Sequence, residues 1–133
     1  MADKSESTAE IKFESTNKKK RVDRPWGSYE ILSTGPGFQA KRLILQPSKR
    51  LSLQWHRHRD ETWVVARGTA RVTVGVEELT LGRAQTMYVP RNIHHRIENI
   101  SSVEPLEIIE VQTGDYLGED DIVRIEDDFG RAK

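Results

Sequence analysis

The most informative stretch of this sequence is residues 51–68, LSLQWHRHRDETWVVARG. Gln54 and His56 are two positions apart in a predicted strand, so their side chains leave the same face and can converge on one ion. Glu61 comes just before an apolar run, and Gly68 then marks a hairpin turn that returns this carboxylate beside the first strand. The stretch therefore predicts neighbouring strands that bring an amide, an imidazole and a carboxylate together.

A second half-site lies in residues 90–99, PRNIHHRIEN. Its first residues predict a turn, and His95 then lies at the start of another predicted strand. The two half-sites together offer two nitrogen and two oxygen ligands, a set that suits Zn²⁺, Mn²⁺, Fe²⁺, Co²⁺ or Ni²⁺ without selecting among them. We therefore predict one divalent metal ion per chain, with these ligands: Gln54, His56, Glu61 and His95.

Short apolar stretches rich in β-branched and aromatic residues recur after Trp26, each closed by Gly, Pro, Asn or Ser. Apolar and polar residues alternate clearly in residues 72–74 and 109–112. No convincing helix competes, and many short antiparallel strands predict an all-β jelly roll or small barrel in a single domain. The predicted strands are Ser28–Leu32, Phe38–Leu45, Ser52–His56, Thr62–Ala66, Ala70–Val74, Glu78–Leu81, Thr86–Val89, His95–Asn99, Leu106–Gln112 and Ile122–Ile125.

Composition excludes several classes of function. Lysine plus arginine and aspartate plus glutamate number 21 each, so the basic excess of many nucleic-acid-binding proteins is missing and no nucleic-acid partner is expected. The absence of cysteine removes disulfides, thiolate metal sites and cysteine nucleophiles. No apolar run approaches the roughly 18 residues that span a bilayer, and no signal-peptide core is present. We expect a cytoplasmic protein with no membrane partner.

The first residues differ in character from the rest of the chain. Residues 1–22 are mostly Ser, Thr, Glu, Asp and Lys, and we expect a disordered or flexible tail followed by one domain over residues 23–133. The basic run Lys18–Arg21 is either a solvated linker or a phosphate or nucleic-acid patch, and its composition favours the linker.

Both half-sites resemble the two motifs of the cupin superfamily. The first motif falls on Ser48, Gln54, His56, Glu61 and Gly68, and the second falls on Ala84, Pro90, Asn92, His95 and Asn99. Ser48, Ala84 and Asn92 stand where the motifs have glycine, and the Asn92 change is mild because asparagine tolerates a positive φ. The resemblance implies a cupin jelly-roll β-barrel.

Gln54 stands where cupins usually have their first histidine, and this departure is similar to the zinc set of the phosphomannose isomerases. Further stretches look like type II mannose-6-phosphate isomerase, and the resemblance covers roughly residues 22–131. It implies a metal-dependent isomerase that interconverts mannose 6-phosphate and fructose 6-phosphate, with zinc as the favoured metal and a homodimer as the expected assembly. The similar stretches are residues 24–30, 41–42, 51–54, 61–65, 95–99, 109–114 and 116–124.

In that family the isomerase is commonly the C-terminal half of a chain that also carries a mannose-1-phosphate guanylyltransferase. No Gly-rich nucleotide-binding loop followed by Lys occurs here, so we predict no nucleotidyl transfer from this sequence. Two other classes stay open, namely a non-catalytic cupin that binds metal and sugar, and a cupin sugar epimerase or dioxygenase. Gln54 argues modestly against the dioxygenase.

The resemblance also implies a set of residues that contact the phosphorylated hexose. For each basic residue in this set, the alternative interpretation is an ordinary surface charge. We predict a catalytic role for Lys41 in addition to substrate binding. The implied substrate-binding residues are Lys41, Arg42, Arg96, Gln112 and Arg124.

Isomerisation also needs a base, and we predict Glu110 on the strand Leu106–Gln112. Glu110 and Gln112 share one face of this strand, which points either into the barrel mouth or to solvent. His94 and His58 are the alternatives, since their unperturbed pKa values lie closer to neutrality.

Overall fold

The computed structural model describes residues 21–132, whose regular structure consists of eleven β-strands. No helix occurs in this range, so none is available to cross a membrane. The strands are β1 (Arg21–Arg24), β2 (Gly27–Gly35), β3 (Phe38–Leu45), β4 (Leu53–Trp55), β5 (Arg59–Arg67), β6 (Ala70–Val74), β7 (Glu77–Leu81), β8 (Thr86–Val89), β9 (His95–Asn99), β10 (Leu106–Gly114) and β11 (Val123–Glu126).

The strands form two antiparallel sheets. One has the order β1-β2-β3-β10-β5-β8, and the other has the order β11-β4-β9-β6-β7. Buried side chains from both sheets, among them Leu45, Val65, Val72 and Ile97, belong to one apolar core. The predicted all-β, single-domain architecture is therefore confirmed.

The strand β1 was not predicted from the sequence. It pairs with β2 at the edge of the larger sheet and carries only Val22 as an apolar residue. Because an edge strand can be held by main-chain hydrogen bonds alone, it leaves little hydrophobic pattern. The folded part thus begins by Arg21, before the expected boundary at residue 23, and the rest of the predicted tail lies outside the described residues.

On the neighbouring strands β5 and β10, the inward-facing row of side chains is polar at one end and apolar at the other. On β5 the buried residues run from Arg59 and Glu61 to Trp63 and Val65. On β10 they run the opposite way, and antiparallel pairing sets Gln112 beside Glu61. Because the polar ends of neighbouring strands adjoin, the interior is an apolar core at one end and a polar cleft at the other.

The strand β5 begins at Arg59, three positions before the predicted start. Its first residues pair with the end of β10, where Arg59 lies opposite Gly114 and Asp60 opposite Thr113. This pairing between residues far apart in sequence extends the strand through a polar segment that has no apolar alternation. As a result Glu61 lies inside a strand and not in a loop.

Three non-glycine residues within the described range adopt a left-handed backbone conformation. The φ angles are 64° at Ser48, 72° at Ala84 and 68° at Asn92. These are the three positions at which a glycine of the cupin motifs is replaced in this chain. The turns therefore keep the conformation that the motif glycines favour, and an L-residue with a Cβ is strained there.

We expect Ala84→Gly to raise the free energy of unfolding by about 0.5–1 kcal/mol, because relief of the left-handed strain outweighs the extra entropy of the unfolded chain. Urea denaturation measures the change. The matched control is Ala66→Gly, at an exposed position within β5, which should lower stability because glycine weakens a strand. Equal losses in both variants would contradict the strain at Ala84.

Candidate metal centre and substrate cleft

Three buried side chains converge at the polar end of the interior. His56 follows β4, Glu61 lies on β5 and His95 begins β9. One ligand atom from each lies within 4.8 Å of the others, and all three residues are buried. The two imidazole rings are 4.9 Å apart. Three of the four predicted metal ligands are therefore brought together by strands from both sheets.

Main-chain carbonyls orient both histidines toward the centre. Nδ1 of His56 lies 2.5 Å from the carbonyl oxygen of Asp121, and Nδ1 of His95 lies 2.9 Å from that of Ile93. If Nδ1 donates to these carbonyls, Nε2 carries the lone pair. Nε2 of His56 is 3.2 Å from one oxygen of Glu61, and Nε2 of His95 is 3.8 Å from the other. This is the arrangement in which protein groups fix histidine ligands for a metal.

The charge states also fit a divalent ion. Burial would raise the pKa of Glu61, but hydrogen bonding to His56 and the charges of His95 and Arg59 outweigh it, so the pKa lies well below its ordinary value. Burial lowers the pKa of His95, against the opposing effect of Glu61. A carboxylate that stays ionised and an imidazole that stays neutral are the forms that bind metal.

Gln54 lies directly opposite His95 in the pairing of β4 with β9. Its side chain is buried, lines the same cleft and has its Nε2 3.4 Å from the carbonyl oxygen of Ser52. The amide is thus at the centre's edge, as the sequence pattern predicts. Two imidazoles, a carboxylate and an amide form a buried nitrogen and oxygen donor set that fits a divalent ion of the Zn²⁺ or Mn²⁺ type.

The centre opens into a cleft of about 620 Å³, including its mouth. Five basic side chains line it, against three acidic ones, so the cleft has an excess of positive charge. Of these basic residues, sequence reasoning identified two and missed Arg24, Arg59 and Arg131. The basic residues are Arg24, Lys41, Arg59, Arg124 and Arg131; the acidic residues are Glu61, Glu110 and Glu119.

Arg124 has the features of an anion-binding side chain. Its Nε is buried and makes no hydrogen bond within residues 21–132. Burial, together with the neighbouring Arg131 and Arg24, lowers the pKa of Arg124. Arg131, by contrast, is held by the carboxylate of Asp127 at 2.7 Å. A crowded guanidinium with an unused buried donor gains most from a bound anion.

Glu110 faces the cleft and not solvent. Burial and the negative charge of Glu61 raise the pKa of Glu110 to about 7, against the opposing effects of Arg59 and Lys41. Gln112 donates from Nε2 to Glu110 at 2.7 Å, and its Oε1 accepts from Gln39 at 3.1 Å. The predicted shared face of Glu110 and Gln112 is confirmed, but Gln112 lies behind Glu110 and not on the cleft wall. The strand β10 pairs with β3 and β5 and not with β9, the strand that begins at His95.

Besides Gln112, three predicted site residues are not brought to the cleft, namely Arg42, Arg96 and His94. Arg42 and Arg96 each follow an inward-facing residue, so strand parity points them the other way. Arg42 contacts Glu107 and Glu30, while Arg96 donates to the carbonyl of Leu51 and contacts Glu126. His94 is exposed, and so is the alternative base His58, which packs against Tyr116 outside the cleft.

Lys41 is buried in the cleft, with its amine against the Glu119 carboxylate and 4.3 Å from the Tyr29 ring.

A family model described as mannose-6-phosphate isomerase C-terminal matches residues 12–127. This chain belongs to that family. The xanthan biosynthesis protein XanB of Xanthomonas campestris pv. campestris is a curated relative of this chain. It is 52% identical over 113 residues, which are 85% of this chain and 24% of XanB. The alginate biosynthesis protein AlgA of Pseudomonas aeruginosa is 50% identical, covering 84% of this chain and 23% of AlgA. The mannose-1-phosphate guanylyltransferase ManC of Salmonella typhimurium is 46% identical, covering 85% and 23%. The chain thus spans about a quarter of the length of these relatives.

Solved structures with a cupin fold resemble the fold of this family member. CapF of Staphylococcus aureus, a capsular polysaccharide assembling protein, has a TM-score of 0.71 at 17% identity, covering 82% of this chain and 34% of CapF. An RmlC-like cupin from Shewanella frigidimarina has a TM-score of 0.68 at 17% identity, covering 77% of this chain and 88% of that one. At such identities the likeness concerns the fold, and the predicted cupin fold is confirmed.

Proposed function

We propose that this cupin domain interconverts mannose 6-phosphate and fructose 6-phosphate. The observation that carries the proposal is the content of one cleft: a metal-type ligand set, a buried carboxyl whose pKa is about 7, and a group of arginines of which Arg124 has an unused buried donor. An aldose–ketose isomerisation of a sugar phosphate needs a group that stabilises developing charge, a base and a phosphate grip. Membership in the mannose-6-phosphate isomerase family supports the same reaction.

Gln54, His56, Glu61 and His95 would hold the divalent ion. When bound, that ion would act as a Lewis acid toward the carbonyl and hydroxyl oxygens of the sugar. His56 and His95 are fixed by carbonyls, and Glu61 accepts from the indole nitrogen of Trp63 at 3.0 Å. The protein therefore presents these donors in one orientation, without the reorganisation that mobile side chains would need.

Glu110 is the proton-transferring base of this proposal. Its carboxylate would remove the proton from C2 of mannose 6-phosphate and return it at C1, while the proton of the C2 hydroxyl passes to the C1 oxygen. A pKa of about 7 keeps a large ionised fraction at neutral pH and still allows the protonated form to give the proton back. Gln112 fixes one carboxylate oxygen, so the other oxygen is the one that faces the sugar.

Arg24, Arg124 and Arg131 would bind the phosphate. A phosphate dianion accepts several charge-assisted hydrogen bonds, and arginine offers the matching planar donors. The dianion would relieve the repulsion among these three guanidinium groups, which the lowered pKa of Arg124 reflects. Lys41 lies deeper, beside Glu110 on the paired strand β3, and would contact the sugar or its phosphate.

Incubating the purified, metal-loaded protein with mannose 6-phosphate and following fructose 6-phosphate tests the proposal directly. Unphosphorylated mannose is the control, and it should be turned over poorly because the arginines then have no anion. Binding of mannose 6-phosphate without any fructose 6-phosphate would refute the isomerase and leave a non-catalytic sugar-binding cupin. Turnover to a different hexose phosphate would instead indicate an epimerase.

We expect Arg124→Gln to raise KM for mannose 6-phosphate by about tenfold or more, because a buried charge-assisted contact contributes about 1–3 kcal/mol. Metal content should not change. The matched control is Arg42→Gln, which removes an arginine that faces away from the cleft. A higher KM in Arg42→Gln with a normal one in Arg124→Gln would place the phosphate elsewhere.

A further inference from the structure

Arg59 is a buried cation in contact with two of the proposed metal ligands. Its Nε lies 2.9 Å and its Nη2 2.8 Å from Oε2 of Glu61. Nη2 is also 3.2 Å from Nε2 of His56. The residue is only 7% exposed. Neither the metal-ligand pattern nor the proposed reaction explains why a guanidinium should occupy this position.

The pairing of Arg59 with Glu61 follows from strand geometry. The two residues are two positions apart on β5, so both side chains enter the interior. A buried carboxylate without a counter-charge is strongly destabilising, and Arg59 supplies that charge from the same strand. Although burial opposes it, the carboxylates of Glu61 and Glu110 raise the pKa of Arg59, so the guanidinium stays charged.

A divalent ion would need the same atoms that Arg59 contacts. Oε2 of Glu61 and Nε2 of His56 are the donors in question, and both already face the guanidinium. Two cations on one carboxylate oxygen repel each other strongly where water is excluded. Simultaneous occupation is therefore unfavourable.

We propose that Arg59 is a competing cation of the metal centre: it neutralises Glu61 until a divalent ion displaces it. This inference rests on the metal centre of the proposed function, but not on the isomerase reaction. It assigns Arg59 two effects of opposite sign. The residue stabilises the metal-free protein and weakens the binding of metal.

The test compares Arg59→Gln with Arg57→Gln, an exposed arginine two positions away. Zn²⁺ affinity is measured by competition with a chromogenic chelator, and thermal unfolding is followed with and without saturating Zn²⁺. Arg59→Gln should bind Zn²⁺ at least about tenfold more tightly than the wild type, unfold at a lower temperature without metal, and gain more from saturating Zn²⁺. Arg57→Gln should match the wild type in all three measurements.

Unchanged or weaker Zn²⁺ binding in Arg59→Gln would overturn the competition. Tight binding in the variant with none in the wild type would support it, while refuting a zinc-loaded wild-type centre. If neither protein binds Zn²⁺, both the metal centre and the competition are wrong.

If Arg59→Gln fails to fold even with Zn²⁺, a measurement on the wild-type protein tests the competition instead. Exchange of the Arg59 Nε–H with solvent, followed by NMR, should accelerate on adding one equivalent of Zn²⁺, and unchanged protection would overturn the proposal.

Discussion

Replacing Glu110 with glutamine should lower kcat for isomerisation by at least about 100-fold while the protein keeps its fold and metal. Glutamine has the same shape and can still contact Gln112, but it cannot take up the C2 proton. Exchange of that proton with deuterated solvent should fall in parallel. The matched control is Glu107→Gln on the same strand, whose carboxylate points outward to Arg42 and Arg67. Near-normal turnover in Glu110→Gln would remove Glu110 from the role of base.

The pKa of Glu110 adds two pH signatures to this prediction. Because the ionised form is the active base, wild-type kcat/KM should rise as the pH increases through about 7 and then level off.

The second signature is independent of activity. The pKa of Glu110 is raised in the folded protein, so the native state binds more protons than the unfolded state between the two values, and the contribution of Glu110 to stability falls as pH rises through about 7. The free energy of unfolding of metal-free Glu110→Gln minus that of the metal-free wild type should therefore increase from about pH 5 to pH 8. A constant difference would contradict the raised pKa.

His95→Ala should weaken binding of the divalent ion by more than about 100-fold, since even the partners of metal ligands contribute about 10–100-fold. Elemental analysis should find about one ion per wild-type chain and almost none in the variant. Isomerase activity should be lost with the metal. His56→Ala should behave in the same way, because the two Nε2 atoms face opposite oxygens of Glu61.

The neighbouring histidine provides the control for this experiment. His94→Ala removes an exposed imidazole one position from His95 and should leave metal content and activity unchanged. Full metal content in both His56→Ala and His95→Ala would refute the assigned centre. Loss of metal in His94→Ala alone would mean that β9 presents its other face to the ion.

The sequence alone predicted ten of the eleven described strands and the three residues that converge in the candidate metal centre, because both depend on local geometry. The strands β3, β6, β8 and β9 have the predicted bounds, since their alternation and their closing turns are short-range features. The spacing of Gln54 and His56 likewise put both on one face. The same alternation separates Lys41 from Arg42 and His95 from Arg96, so by itself it directs Arg42 and Arg96 away from the face that carries Lys41 and His95.

Other features depend on which segments pair across the whole chain. Arg24 and Arg131 lie near opposite ends of the described chain, and no local pattern relates them to Arg124 in one cleft. The length of β5, which carries Arg59 and Glu61 inside, follows from its pairing with β10. Alternation showed that Glu110 and Gln112 share a face, but only the packing of the two sheets decided that this face is buried. Local sequence patterns were therefore enough for the strands and for the residue types of the candidate metal centre. The electrostatic environment of these residues depends on the packing of the two sheets, because burial and charged neighbours distant in sequence govern the proposed roles of Glu110 and Arg59.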